Sequence, residues 1–137
     1  MGFPFIKYKR KINNNGHKQE KYMAKAYNTG MVEFDDLSIR MEQHCTLSRS
    51  DVQAVVMELE YQIETLLKQG HSVRVGNLGI FYPTLQSSLA EDASQIHPGS
   101  IKKIVCNFLA SKKFKSNLND TQFDLIDRDV RLSKGIE

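Results

Sequence analysis

A chain of 137 residues, 40% of them hydrophobic and with a net charge of +3, fits one folded domain with an appendage at either end. No apolar run reaches the roughly 18 residues that a membrane span needs, and the apolar part of "MGFPFIKYKRK" is too short for a secretory signal. Cys45 and Cys106 lie far apart without metal-ligand spacing, as expected of two semi-buried free thiols in a reducing, cytoplasmic setting, and Ile6 stands where myristoylation of Gly2 needs Ser or Thr.

The first pattern in the chain is "IKYKRKI" (6–12), which alternates apolar and basic positions as a half-exposed strand does. "NNNGHK" (13–18) is a turn signal, and "EKYMAKAY" (20–27) alternates again, with Tyr22, Ala24 and Ala26 on one side. Residues 6–28 therefore read as a hairpin with a basic face, closed by "NTG" at 28–30. "VEFDDLSIRMEQHC" (32–45) predicts a short helix. Asp35 or Asp36 falls in its first turn, where acids suit the helix dipole, and Leu37, Met41 and Cys45 share a face.

"LSRSDVQAVVMELEYQIETLLKQG" (47–70) is the clearest element. Ser48 and Asp51 have capping-box spacing, and Gly70 stands where a helix ends. Val52, Val55, Val56, Leu59, Ile63, Leu66 and Leu67 make one apolar stripe. Ala54, Met57 and Tyr61 form a second face on the other side. A helix apolar on two sides must be covered on two sides, and in so short a chain the second cover is expected to be another subunit.

"VRVGNLGIF" (73–81) reads as strand, turn, strand, with Gly76 and Gly79 bracketing the turn. Pro83 limits the second strand or places it at an edge. "QSSLAEDASQIHPGS" (86–100) is loop-like, and "IKKIVCNF" (101–108) is a strand with Ile104, Cys106 and Phe108 on one face. "SKKFKSNL" (111–118) is a short helix capped by Ser111 and anchored by Phe114 and Leu118. In the tail, Phe123, Leu125 and Ile126 form an apolar cluster able to dock, and the last residues are expected to fray.

Charge is unevenly spread. Residues 1–30 carry seven Lys/Arg against one acid, and residues 31–70 carry three against eight; residues 71–120 carry six against three. Basic ends around an acidic middle fit a polyanion partner, and they equally fit a set of solvated faces. Catalytic chemistry finds no support. His44 and Cys45 are adjacent on a helix and diverge by about 100°. His17, His71 and His97 share no metal spacing, and no Gly-Lys-Ser/Thr follows the glycine turn. No enzyme, cofactor, metal or small-molecule substrate is expected.

The succession of helix, longer helix, glycine-turn hairpin, polar arm, strand and short basic helix resembles the HU and integration host factor family of bacterial histone-like DNA-binding proteins. The likeness runs over roughly residues 33–119. It rests on "LSRSDVQAVVMELEYQIETLLKQGHSVRVGNLGIF" and on "CNFLASKKFKSNL". The added basic hairpin and the tail are similar to an extended HU-like subfamily found in Bacteroidetes.

The resemblance implies an α+β fold built as an intertwined homodimer. It would have a two-helix base, a three-stranded antiparallel sheet with a protruding β-arm, a short C-terminal helix and an extra N-terminal β-hairpin. The implied divisions are 1–30, 31–120 and 121–137. The implied partner is double-stranded DNA, bound with little sequence preference and bent, in a cytoplasmic, nucleoid-associated protein. Position by position, Lys112 and Lys115 and the backbone of Asn77 to Gly79 are implied phosphate contacts, with Lys113 as a further DNA contact and Arg74, Lys102 and Lys103 as neighbours on the returning arm strand; the alternative for the five lysines is that they are ordinary solvated side chains. Lys7, Lys9, Arg10 and Lys11 are candidate further contacts or a solvated strand face. Ala54, Met57, Tyr61, Phe81 and Phe108 are implied dimer contacts.

The chain departs from the family pattern in four places. Its turn reads Asn77-Leu78-Gly79 in place of Gly-Phe-Gly, and Ala110-Ser111 replaces Pro-Gly before the final helix. The arm is shorter and carries Glu91 and Asp92, and Pro98 stands in "HPGS". A second reading is therefore a dimeric structural or partner-binding module on the same scaffold, with DNA binding weakened or lost.

Overall fold

The computed structural model describes residues 2–126. The elements run β1 (Phe3–Asn14), β2 (His17–Ala26), α1 (Phe34–Glu42), α2 (Arg49–Lys68), β3 (Val73–Val75), β4 (Gly79–Ser87), β5 (Ile101–Ala110), α3 (Lys112–Asn119) and β6 (Phe123–Leu125). They divide into two units, one made of residues 2–31 with 120–126 and the other of residues 32–119.

In the first unit β1 and β2 pair antiparallel from Phe5↔Ala26 to Asn14↔His17. Only Asn15 and Gly16 turn the chain, with φ of 51° and 83°. Two consecutive positive φ values are what the short hairpin turn that follows strand twist requires. The turn is thus tighter than the Asn-rich run 13–18 implied, and β1 starts earlier, at Phe3. The sheet also has a third strand. β6 lies parallel to β1, with Phe3↔Phe123 and Phe5↔Leu125 in register. The Gly2 amide donates to the Asp124 carboxylate at 2.6 Å, the Ile126 amide donates to the Phe5 carbonyl at 2.9 Å, and the Phe3 and Phe123 rings meet edge-on at 6.2 Å. The docking cluster in the tail is therefore strand pairing as well as apolar contact. The residues expected to fray lie outside the described residues.

In the second unit α1 is shorter than its apolar spacing implied and ends at Glu42, before Cys45, and the two thiols expected to be semi-buried, Cys45 and Cys106, are both exposed. The Ser48 capping box is complete. The Asp51 amide donates to Ser48 Oγ at 3.2 Å, and the Ser48 amide donates to Asp51 Oδ2 at 3.1 Å. α2 packs on α1, β3 and β4, and Gln53 Nε2 ties it to Asp35 of α1 at 2.7 Å. Val52 is 2% exposed, and Val56, Ile63, Leu66 and Leu67 are half-buried. Val55 and Leu59 correct the seven-residue stripe: they are 59% and 40% exposed. One short helix and a small sheet cover only part of the stripe's width.

β3, β4 and β5 form an antiparallel sheet in that order, and the arm is the β4–β5 ladder. Val73, Phe81 and Phe108 stand in one cross-strand row, with the two rings 4.9 Å apart. Pro83 neither ends β4 nor limits it, since the strand runs on to Ser87. β3 begins at Val73, opposite Phe81, so from Tyr82 onward β4 has a ladder on one side only, which is the edge position proline tolerates.

Among the described residues only Ile6 and Val52 are buried hydrophobic side chains. Val55, Met57, Leu59 and Tyr61 on α2, and Leu85, Ile104 and Phe108 on the sheet, are exposed.

Candidate nucleic-acid interface

Gly76, Asn77 and Leu78 link β3 to β4. The Leu78 amide donates to the Val75 carbonyl at 3.0 Å, and Val75 pairs with Gly79. The two glycines have different jobs. Gly76 has φ 49° with open space around it, so it is required by conformation. A Cβ on Gly79 would collide with the Leu109 carbonyl oxygen and come within 2.8 Å of the Phe108 ring, so it is also required by the close approach of β5.

Ser111 fastens this turn to α3. Its amide donates to the Leu78 carbonyl at 3.1 Å and its hydroxyl donates to the Asn77 carbonyl. The same hydroxyl accepts the Phe114 amide at 3.1 Å, and the Ser111 carbonyl accepts the Lys115 amide at 3.0 Å. The Asn77 and Leu78 carbonyls are thereby occupied. No hydrogen bond among the described residues engages the amides of Gly76 and Asn77, nor those of Lys112 and Lys113 at the start of α3. Lys112, Lys113 and Lys115 are all exposed. Free amides at a helix start and in the fastened turn, beside three exposed lysines, are the kinds of group that favour an anion through partial charge, full charge and hydrogen bonding.

The remaining sheet residues form a second group. Arg74 pairs with Ile80, and Lys103 with Gln86. The ladder then passes to Ser87↔Ile101, which leaves Lys102 as an extra residue in a β-bulge. Register puts Arg74, Asn107, Thr84 and Lys103 on one face, with Asn107 Nδ2 donating to Thr84 Oγ1 at 2.9 Å. The opposite face carries Val73, Phe81, Leu85, Ile104 and Phe108. Lys103 lies seven residues from the end of β5, about 23 Å along the strand. The structure thus brings Asn77, Gly79, Lys112, Lys113 and Lys115 together and sets Lys102 and Lys103 well apart from them.

Between β4 and β5, residues 88–100 fold back as a compact loop. The Ser88 amide donates to the Ser100 carbonyl at 2.9 Å and closes its base. Asp92 accepts the Ser94 amide and caps a short 3-10 turn, Ala93–Gln95. His97 Nδ1 accepts the Gly99 amide at 3.1 Å and caps a second, Pro98–Ser100. Pro98 opens that turn. Leu89 is fully exposed.

Ala54, Met57 and Tyr61 are exposed on α2, Phe108 is exposed on β5, and Phe81 is half-buried. Lys7, Lys9, Arg10 and Lys11 lie on β1 and are exposed. Sequence reasoning passed over Lys18, Lys21 and Lys25 of β2, although their place opposite the basic run of β1 was open to it. It also missed the Ser111–Asn77 contact, which joins residues 34 apart and has no local signal. Among the described residues no group of three or more His, Cys, Asp or Glu could hold a metal ion, and no helix is long and apolar enough to cross a membrane.

A two-helix base on a three-stranded antiparallel sheet, with an extended β4–β5 arm and a short basic helix locked to the glycine turn, is an HU-like domain. A family model described as an HU domain fused to a winged helix-turn-helix, Ig or glycine-rich motif matches residues 1–124, and the chain belongs to that family. The fold is similar to the crystal structure of a candidate bacterial DNA-binding protein from Bacteroides vulgatus, with a TM-score of 0.66 at 13% identity. The likeness covers 95% of this chain and 51% of that one, so the chain spans about half the length of that protein. No curated protein matches the sequence.

Proposed function

We propose that this chain is a dimeric, architectural DNA-binding protein that holds and bends duplex DNA with little sequence preference, and that it works in the nucleoid. One observation carries the reading: Ser111 locks the glycine turn to the start of α3. Free amides at Asn77 and Lys112 then lie beside the side chains of Lys112, Lys113 and Lys115. Such a cradle grips phosphate and ignores base identity. Arg74, Lys102 and Lys103 extend the positive surface along the sheet and arm. The partner subunit is the cover for the apolar faces of α2 and the sheet. Ala54, Met57, Tyr61, Phe81 and Phe108 are the proposed contacts, in the intertwined arrangement of HU-like dimers.

The loop 88–100 favours a second reading, in which the dimer serves as a structural or partner-binding module and has lost most of its DNA affinity. Glu91 and Asp92 are exposed there, and Asp92 is committed to a cap. An acidic tip folded into 3-10 turns is a poor wedge for a negatively charged groove.

A salt titration of binding to random-sequence duplex, with light scattering on the same sample, separates the two. The first reading expects a dimer whose affinity falls steeply with salt, and loss of binding with an intact dimer for Lys112→Glu with Lys115→Glu. No complex at micromolar protein and low salt overturns it.

A further inference from the structure

The β1–β2 hairpin is a charged ribbon with little structural reason to be one. It carries Lys7, Lys9, Arg10, Lys11, Lys18, Lys21 and Lys25 against a single acid, Glu20. Glu20 is already committed: it holds Lys9 at 2.6 Å, and that contact raises the Lys9 pKa through the hydrogen bond and the charge. Lys9 is therefore a diagonal neighbour of Glu20, while Lys11, directly opposite Glu20, has no ion pair among the described residues. On the other face Arg10 stands directly opposite Lys21. Like charges in that position destabilise a hairpin. From Lys9 outward every residue of both strands is exposed, so nothing described packs on either face to offset the cost. An isolated two-stranded ribbon is already marginal in water.

We infer that this ribbon is a second phosphate-binding element, separate from the α3 cradle, and that it runs along a duplex nucleic-acid backbone. The inference rests on the reading of the molecule as a DNA-binding protein and adds a site to it. Lys7, Lys9 and Lys11 follow one another on one face at about 6.7 Å, close to twice the rise of about 3.4 Å per phosphate along one strand of a duplex. Lys18 continues that face near the tip. Arg10 and Lys21 supply the opposite face, joined by Lys25, which lies 4.9 Å over the Tyr8 ring. A bilayer surface meets one face of a ribbon and leaves the other unused. Two walls of regularly spaced phosphates meet both. The like-charged Arg10–Lys21 pair costs stability in the free protein and becomes favourable when a phosphate lies between or beside the two cations.

Fluorescence anisotropy on a random-sequence duplex tests this with the full chain. Lys11→Gln, Arg10→Gln and Lys21→Gln are combined and compared with wild type, with Lys112→Glu/Lys115→Glu, and with the two sets together. The ribbon variant is expected to bind roughly tenfold or more weakly at low salt, with a salt slope shallower by about one for each cation that touched phosphate. Its loss should add to that of the α3 variant, since the two sites share no residue. Its thermal midpoint should hold or rise, because a repulsive pair has been removed; a purely structural role predicts a fall. A ribbon variant with wild-type affinity and salt slope overturns the inference and leaves the α3 cradle standing. Wild type that binds no duplex overturns both. Unchanged DNA binding with lost flotation on phosphatidylserine vesicles overturns it in favour of a membrane partner.

Discussion

The Ser111 hydroxyl serves two backbones at once: it donates to the carbonyl of Asn77 and accepts the amide of Phe114. One side chain therefore caps α3 and fixes the turn that α3 faces. Ser111→Ala removes both bonds. A lost helix cap costs about 1 kcal/mol. DNA affinity is expected to fall by up to roughly tenfold, equivalent to about 1.4 kcal/mol, as turn and helix lose their common register. The salt slope should stay the same, because no charge is removed. Ser111→Thr keeps the hydroxyl and should recover most of the affinity. Equal salt-slope changes in Ser111→Ala and Lys112→Glu would show that Ser111 acts through charge placement alone.

Gly76 and Gly79 look equivalent in "GNLG" and should respond differently to alanine. At Gly76 the penalty is that of a positive φ in open space, about 1 kcal/mol. At Gly79 a methyl meets the Leu109 carbonyl and the Phe108 ring, and neither is the free end of a flexible side chain. The strand pair must shift, so the cost should be larger, about 2–3 kcal/mol, with altered α3 signals by NMR. Chemical denaturation of the two variants measures the difference, and equal costs would refute the steric assignment.

What the sequence disclosed follows from how local each signal is. The α2 cap at Ser48, a turn somewhere within 13–18 and the glycine turn depend on neighbours within a few residues, and local spacing and composition point to them, whereas the narrowing of the first turn to Asn15–Gly16 is seen only in the structure. β6 did not show itself, because three residues parallel to a strand more than a hundred positions away carry no periodicity. Val55 and Leu59 were read into a covered stripe because period reports which side faces inward and says nothing of how wide the cover is. The cradle was half legible: its lysines and glycines stand in the sequence, whereas the Ser111–Asn77 bond that assembles them is a product of the β4–β5 register.

Met57 and Tyr61 test the proposed subunit contact. Each is more than 60% exposed on α2 in the single chain, at 62% and 61%. Burying a large apolar side chain is worth about 1.5–3 kcal/mol, and forcing a charge into an apolar contact reverses that gain. Tyr61→Lys with Met57→Lys is expected to shift the protein toward monomer in sedimentation equilibrium and to lower its stability in a concentration-dependent way. In a monomeric protein both lysines would be solvated, and neither observable would move.

Acid should loosen α2 at its first turn. The Asp51 carboxyl accepts from the Ser48 hydroxyl at 2.7 Å and from the Ser48 amide at 3.1 Å, and these bonds hold its pKa below the ordinary carboxylate value. The folded pKa lies below the unfolded one. The contribution to stability is therefore complete above the unfolded value, about 3.9, and is lost as pH falls through the folded value. Ser48→Ala removes the partner on the other side of the same box. Near neutral pH it should destabilise the protein by about 1 kcal/mol, the usual worth of an N-cap. The gap between wild type and Ser48→Ala should then stay level down to about pH 4 and narrow below it, because protonated Asp51 no longer needs the bonds that the variant lacks. Denaturation midpoints of both proteins across that range measure the gap. A gap that is flat through the acid region would mean that the Asp51 side of the box contributes nothing to the cap.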